Sequence, residues 1–133
     1  MSQFGVQIHG ASKRKSSGNG KLKLKNKDKK RYEIGGYFTA TRLAENEDNI
    51  VKKVRIRGGN YKTKLKKAGY ANILVDKAYK KAKIKGVVES KDNRNFARLN
   101  IITKGTIIDT ELGRAVVLNR PGREGFVNAK LVK

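Results

Sequence analysis

The sequence predicts an all-β fold, a small closed or partly open β-barrel preceded by a long basic N-terminal extension. From Ile50 onward, about six or seven short segments alternate apolar and polar residues and are separated by turns rich in Gly and Asn, as in small barrels. Before that point the chain is rich in Lys and Arg and poor in large apolar side chains. We therefore divide it into an extension and flexible loop over residues 1–49 and a β-barrel domain over residues 50–133.

Composition narrows the classes of partner. The chain has 133 residues and a formal net charge of +22, which suits one domain that binds a polyanion rather than a small-molecule substrate. There is no Cys, so disulfides, thiolate zinc sites and a thiol nucleophile are excluded. The apolar runs are far shorter than the roughly 20 residues of a membrane span, and basic residues at period two do not form an amphipathic membrane helix. We expect a cytoplasmic protein that does not bind membranes.

The first 31 residues hold ten basic residues and one acid, Asp28. They carry too little apolar surface to offset the entropy of ordering, so we expect an arm that is disordered in the free protein and ordered on RNA. A solvated charge run is the alternative. The arm residues predicted to bind RNA are Lys13, Arg14, Lys15, Lys21, Lys23, Lys25, Lys29, Lys30 and Arg31.

Next comes a predicted flexible loop, whose acidic cluster is Glu45, Glu47 and Asp48. Residues 51–57 and 61–66 then alternate as two strands around a turn at Gly58, Gly59 and Asn60, which predicts a hairpin. We expect one face of this hairpin to be basic. The basic residues assigned to that face are Lys53, Arg55, Arg57, Lys62, Lys64 and Lys66.

The rest of the chain predicts five more strands and one helical turn. Residues 70–75 suit a central strand, and residues 82–88 continue the pattern with basic residues outward. Asp92 is expected to cap a short helical turn over residues 94–99. The last predicted strands cover residues 106–110, 114–118 and 126–132, with Glu111, Leu112 and Gly113 joining the first two and a loop with Pro121 and Gly122 joining the last two.

The basic rows favour RNA. A third row at Lys81, Lys83 and Lys85 adds to the two in the hairpin, and same-sign charges on strands about 4.8 Å apart repel one another unless phosphates lie between them. A surface that only confers solubility would normally mix signs. The turn from Arg57 to Asn60 would bring backbone amides near a phosphate or ribose, although an ordinary hairpin turn looks the same. Aromatic residues are few and scattered, which favours recognition of the RNA backbone over base stacking.

Catalysis has little support. Asp109 and Glu111 are spaced to share a strand face and to hold a metal ion, but no third ligand is in view. The only histidine, His9, lies in the arm, and there is no phosphate-binding Gly-Lys-Ser/Thr loop or nucleophile elbow. We expect a protein without catalytic residues, metal or cofactor.

Several separated motifs resemble the archaeal and eukaryotic small-subunit ribosomal protein S8e family, nearly along the whole chain. They are His9, Gly10, Ser12, Arg14, Lys15, Ser17 and Gly18, then residues 30–35, 55–60 and 100–105, and finally Arg120, Pro121, Gly122, Gly125, Asn128 and Ala129. The resemblance implies a six-stranded barrel whose extension threads through small-subunit ribosomal RNA, with neighbouring ribosomal proteins as further partners. It also adds Lys104 and Arg120 to the expected RNA contacts.

The sequence is compatible with three functions from different classes. The first is a structural ribosomal protein, the second a free RNA chaperone or other non-ribosomal RNA-binding module, and the third a phosphodiester-cleaving enzyme. The first predicts stable association with the small subunit in high salt, the second predicts loss from it, and the third predicts metal-dependent turnover. The resemblance favours the first.

Overall fold

The computed structural model describes residue 32 and residues 34–46 and 48–132. These residues fall into two compact units, one ending at Phe38 and the other beginning at Thr39. The second unit is formed mostly of strands with two short helices, which confirms the all-β prediction.

The nine strands and two helices of the second unit follow the chain in a simple order. They are β1 (Thr41–Leu43), β2 (Ile50–Arg55), β3 (Tyr61–Ala68), β4 (Tyr70–Val75), β5 (Ala78–Glu89), α1 (Arg94–Arg98), β6 (Ile101–Ile102), β7 (Ile107–Thr110), β8 (Gly113–Val117), α2 (Pro121–Glu124) and β9 (Asn128–Leu131). A 3-10 turn at Arg57–Gly59 joins β2 to β3.

The strands form one open sheet and one closed barrel. The open sheet has the order β2-β3-β1-β6, with β1 parallel to β3 and antiparallel to β6. The barrel has the order β4-β5-β7-β8-β9 and closes through a parallel pairing of β4 with β9. The prediction of a barrel is confirmed, but the closed part has five strands and not the expected six.

The difference in strand number arises where β3 passes into β4. At this bend the Gly69 carbonyl accepts a hydrogen bond from the Ile84 amide at 2.9 Å, so the chain joins the barrel only after β3 has ended. The basic strands β2 and β3 therefore pair in the open sheet. Short alternating segments indicate strands, but they do not indicate which strands close on one another.

The core joins the sheet to the barrel. Leu65, Ala68 and Ile102 of the open sheet pack in one buried cluster with inward residues of the barrel. The barrel side of this cluster consists of Ala71, Ile73, Ala82, Ile84, Ile108, Ala115, Val117, Val127 and Ala129. Most of these alternate along their strands with exposed or half-buried residues, as expected for strands with one face on a core.

Strand β1 was not anticipated, because the sequence indicated a loop over residues 32–49. Thr41 is fully buried, and its hydroxyl donates to the Leu65 carbonyl over 2.8 Å. The Asn49 side chain accepts a hydrogen bond from the Gly69 amide, also at 2.8 Å. A strand of three residues is too short to show an alternating pattern. The division of the chain at residue 50 stays a prediction, with β1 lying before it.

Helix α1 confirms the predicted helical turn but not its cap. Asn93, rather than Asp92, is the N-cap residue, and its side chain accepts a hydrogen bond from the Asn95 amide at 2.9 Å. Asn and Asp are both good N-cap residues, so the sequence alone did not distinguish these two neighbours.

Candidate nucleic-acid interface

The β2–β3 hairpin is basic on both faces. Its register places Lys53 opposite Thr63 and Arg55 opposite Tyr61, and residues directly opposite in an antiparallel pair share a face. By the same register, Lys62 lies opposite Val54 on the other side of the ribbon. The prediction of one basic face formed by Lys53, Arg55, Arg57, Lys62, Lys64 and Lys66 is therefore wrong, because Lys53 and Arg55 lie on the side of the ribbon opposite Lys62 and Lys64.

The odd number of residues in the β2–β3 loop explains why this prediction is wrong. Five residues, 56–60, separate Arg55 from its partner Tyr61, and the Ile56 amide donates to the Asn60 carbonyl over 2.8 Å. In an antiparallel hairpin the numbers of two paired residues always add to the same sum. When the loop has an odd number of residues that sum is even, so odd-numbered residues pair with odd-numbered ones and even-numbered with even-numbered ones. Outward and inward residues alternate within each strand as predicted. The error lies in the assumption that odd-numbered residues of β2 share a face with even-numbered residues of β3.

The two faces of the hairpin have different surroundings. On the face of Lys53 and Arg55, Leu65 is buried, and Gly125 at the end of α2 approaches Thr63. Both Lys53 and Arg55 are exposed beyond this contact. On the opposite face Lys52 lies directly across from Lys64. Of the cations on this second face, Lys52, Lys62 and Lys66 are exposed and Lys64 is half-buried.

The tip of the hairpin exposes glycine backbone. Gly58 and Gly59 have φ angles of 80° and 77°, a left-handed conformation that glycine adopts without the strain of a side chain. Both are exposed, and a Cβ built on Gly59 would meet no other atom within 4 Å. The backbone of Gly58 and Gly59 is therefore exposed, and its contact with a phosphate or ribose stays a prediction. The side chain of Arg57 lies outside the described part of the chain.

The third basic row lies on the outside of the barrel. Ala82 and Ile84 of β5 are buried, while Lys81 and Lys85 are exposed and Lys83 is half-buried. The Lys81 ammonium lies 4.2 Å from the centroid of the Tyr70 ring on β4, a cation–π contact. This contact holds one charge of the row against the barrel wall.

The carboxylates considered for a metal site have structural surroundings. Glu111 lies in the β7–β8 turn, where its amide donates to the Lys83 carbonyl over 3.2 Å. Asp109 lies within β7 and is half-buried. In the described ranges, no three acidic, His or Cys side chains form a group suited to a metal ion. No helix in the same ranges has the length and apolar character to cross a membrane.

The loop around α2 is held by one pair of polar side chains. The Asn119 amide nitrogen donates to the Glu124 carboxylate at 3.0 Å and to the Phe126 carbonyl at 2.9 Å, and its oxygen accepts from the Asn128 amide at 2.9 Å. Glu124 also accepts from the Arg120 amide at 3.2 Å. We call this arrangement the Asn119–Glu124 clasp. It fixes the backbone that carries the exposed side chains of Arg120 and Arg123.

Lys104 and Arg120 belong to motifs that are distant in sequence, and both act on the Glu124 carboxylate of the clasp. The hydrogen bond from the Asn119 side chain and the one from the Arg120 backbone lower the pKa of Glu124 from its ordinary value of 4.5, with the positive charges of Arg120 and Lys104 adding to the effect. Lys104 therefore lies close enough to act on this carboxylate. Lys104 is exposed in the turn between β6 and β7, where the Thr103 amide donates to the Thr106 hydroxyl at 3.1 Å.

Comparison with known proteins identifies the family. The sequence profile of ribosomal protein S8e matches residues 8–132. The chain belongs to the ribosomal protein S8e family. The resemblance seen in the sequence is thereby confirmed.

Archaeal members of the S8e family align over nearly their full length. The small ribosomal subunit protein eS8 of Hyperthermus butylicus is 48% identical over 94% of this chain and 91% of its own length. Those of Sulfolobus acidocaldarius and Pyrobaculum aerophilum are 47% and 41% identical, over 86% and 98% of this chain and 89% and 99% of their own lengths. Membership of a ribosomal protein family also confirms the expectation that the chain is not an enzyme.

The arm residues predicted to bind RNA, from Lys13 to Arg31, lie outside the described residues. Of the others, Lys104 and Arg120 both lie near the Glu124 carboxylate, whereas the hairpin residues are divided between two faces. Sequence reasoning missed Lys52 and Arg123. Pro at the first helical position and Gly just after the last one were a signal for the helical turn that exposes Arg123.

Proposed function

We propose that this chain is a structural constituent of the small ribosomal subunit in the cytoplasm and acts in translation. It binds small-subunit ribosomal RNA and lies among neighbouring ribosomal proteins. Membership of the S8e family supports this role, as do relatives named as small ribosomal subunit proteins along nearly their whole length. The net charge of +22 suits a polyanionic partner.

The cross-strand pair of Lys52 and Lys64 is the observation that carries RNA binding. Two ammonium groups directly opposite one another on a strand pair are destabilising in water, by roughly 0.2–1 kcal/mol. Phosphate oxygens between or beside them convert that repulsion into attraction. A hairpin with cations on both faces fits between two RNA segments, each facing one side of the ribbon.

The proposed contacts come from three parts of the chain. Residues 1–31 of the extension would act as an arm that is disordered in the free protein, becomes ordered on RNA and reaches segments distant from the barrel. The barrel domain, residues 50–133, contributes the hairpin cations and the backbone of Gly58, Gly59 and Asn60. Lys104 and Arg120 contribute a third contact beside the Asn119–Glu124 clasp.

A sucrose-gradient experiment tests the proposal. Small subunits reconstituted with the tagged full-length chain are sedimented after a wash at high salt. Retention of the chain in the small-subunit fraction is expected, because phosphate contacts from several surfaces act together. A free RNA chaperone would leave the particle in the same wash, and that result would refute the ribosomal role.

A further inference from the structure

A cleft of about 780 Å³ lies between the end of β5 and α1, away from the hairpin in sequence. Three cations line it, namely Lys91, Arg94 and Arg98, against one carboxylate, Glu89. All four of these residues are exposed at their outer surfaces. The lining is therefore positive overall and suits an anion.

A buried hydroxyl lies in the same cleft. Ser90 is only 7% exposed, and its Oγ atom is buried with no hydrogen-bond partner in the described structure. Buried polar atoms in native proteins are almost always hydrogen-bonded, because leaving one unpaired costs free energy. A serine hydroxyl can donate to an anion. The Ser90 hydroxyl therefore adds a hydrogen-bond donor to the positive charges of Lys91, Arg94 and Arg98.

The arginines are held by an ordered scaffold. Arg94 and Arg98 are four residues apart on α1, so their side chains emerge on one face of the helix. The Asn93 cap fixes the first turn, and the Leu99 amide donates to the Asn95 carbonyl at 3.2 Å in the last. Arginine presents a planar fork of donors that matches phosphate oxygens in pairs.

We propose that this cleft binds one phosphodiester group of RNA: the Ser90 side chain rotates so that its hydroxyl leaves the buried position and donates to a phosphate oxygen, while Arg94, Arg98 and Lys91 neutralise the phosphate charge. The inference rests on the proposed ribosomal function and extends the RNA-binding surface beyond the residues assigned above. The lysine row of β5 leads towards the cleft, and Ser90 lies five positions after Lys85, a span of about 16 Å along an extended strand. One RNA strand can therefore meet both.

The replacement Ser90→Ala tests the hydroxyl directly. Affinity of the full-length chain for a transcript of small-subunit ribosomal RNA, measured at fixed salt, is expected to fall about tenfold, because one hydrogen bond to a charged group is lost. The free protein should unfold at the same urea concentration or a higher one, since an unpaired buried hydroxyl has been removed. Ser90→Thr, which keeps the hydroxyl, should bind more tightly than Ser90→Ala. Wild-type affinity in Ser90→Ala would overturn the proposal.

The arginines are tested by salt dependence. The double variant Arg94→Gln and Arg98→Gln should reduce the slope of log affinity against log salt by about 1, because one phosphate contact is lost and the DNA coefficient is about 0.9 for each contact. Lys77→Asn is the matched control, because it removes a charge at the opposite end of β5, and asparagine tolerates the φ of 82° found there. If Lys77→Asn lowers the slope by as much for each charge removed as the double variant does, the cleft has no special role in RNA binding.

Amide NMR distinguishes the ligand. The Ser90 amide should shift on addition of a short RNA duplex. A shift with inorganic phosphate or a glutamate-rich peptide, but not with RNA, would refute an RNA phosphodiester as the ligand. Failure of the wild-type chain to bind the ribosomal transcript would refute the proposed function itself. Normal transcript binding by all the cleft variants would refute the cleft alone.

Discussion

Lys52 lies directly opposite Lys64 in the β2–β3 hairpin, two like charges paired across a strand ladder. Such a pair weakens the isolated fold and strengthens contact with a polyanion, so the same residues have opposite effects on stability and on binding. The hairpin therefore predicts variants that fold better and bind RNA less well.

The replacement Lys52→Glu should raise the free energy of unfolding of the free protein by about 0.5–1 kcal/mol, because a repulsive cross-strand pair becomes attractive. Urea unfolding measures this change. The same variant should bind ribosomal RNA more weakly. Lys130→Glu on β9 is the control, since Lys130 is exposed and faces Val116 and Leu74 rather than a lysine. If both variants raise the free energy of unfolding equally, the increase comes from the change in net charge alone.

Charge reversal on each face of the hairpin should weaken RNA binding separately. One double variant, Lys53→Glu with Arg55→Glu, alters the face shared with Tyr61, and the other, Lys52→Glu with Lys62→Glu, alters the opposite face. Each should lower RNA affinity, and the combination of all four should lower it further, because each face meets its own phosphates. Filter binding at constant salt measures the affinities. Wild-type binding by either double variant, with the fold intact by circular dichroism, would show that its face does not meet RNA.

Protonation of Glu124 should weaken the α2 loop. The pKa of Glu124 is lowered in the folded protein, so its ionised form contributes stability above the ordinary value of 4.5. That contribution should be lost as pH falls below 4.5 and through the lower folded value. Urea midpoints measured from pH 6 to pH 3 should therefore fall more for the wild type than for Glu124→Gln. Parallel curves for the two proteins would contradict the role assigned to the clasp.

The replacement Gly122→Ala should destabilise the fold by about 1–3 kcal/mol. A Cβ at this position would lie 3.1 Å from both the Cβ and the backbone oxygen of Thr39, where the chain enters the folded unit. Gly86→Ala on β5 is the matched control, because a Cβ there would meet nothing within 4 Å and its φ is not in the left-handed region. Urea unfolding should leave that control within about 1 kcal/mol of the wild type. Similar losses in both would show that the approach to Thr39 is not the cause.

Deletion of residues 1–31 should preserve the folded unit, since it removes ten basic residues and one acid, a net charge of +9, and leaves every strand in place. The truncated chain should still bind RNA, with a shallower dependence on salt because fewer phosphates are neutralised. It should fail to assemble stably into small subunits, because only the extension can span distant RNA segments. Stable assembly at wild-type levels would show that the extension is dispensable.

The sequence predicted the features that depend on local pattern. Alternation located β4, β7, β8 and most of β5, and it placed Lys81 and Lys85 outward. It did not predict how the segments combine. The relative phase of β2 and β3 depends on a loop of five residues, and the choice of barrel strands depends on the bend at Gly69. The cleft around Ser90 was also missed, because Lys91, Arg94 and Arg98 form a site only when α1 folds back beside β5.

The parallel pairing of β4 with β9 has a consequence for the kinetics of folding. The Asn72 side chain donates to the Asn128 side chain at 3.1 Å across this pairing, and the two residues are 56 positions apart in sequence. Contacts between such distant residues slow folding, because a long loop must close before they contribute free energy. The barrel therefore closes late in folding, once β9 can pair with β4.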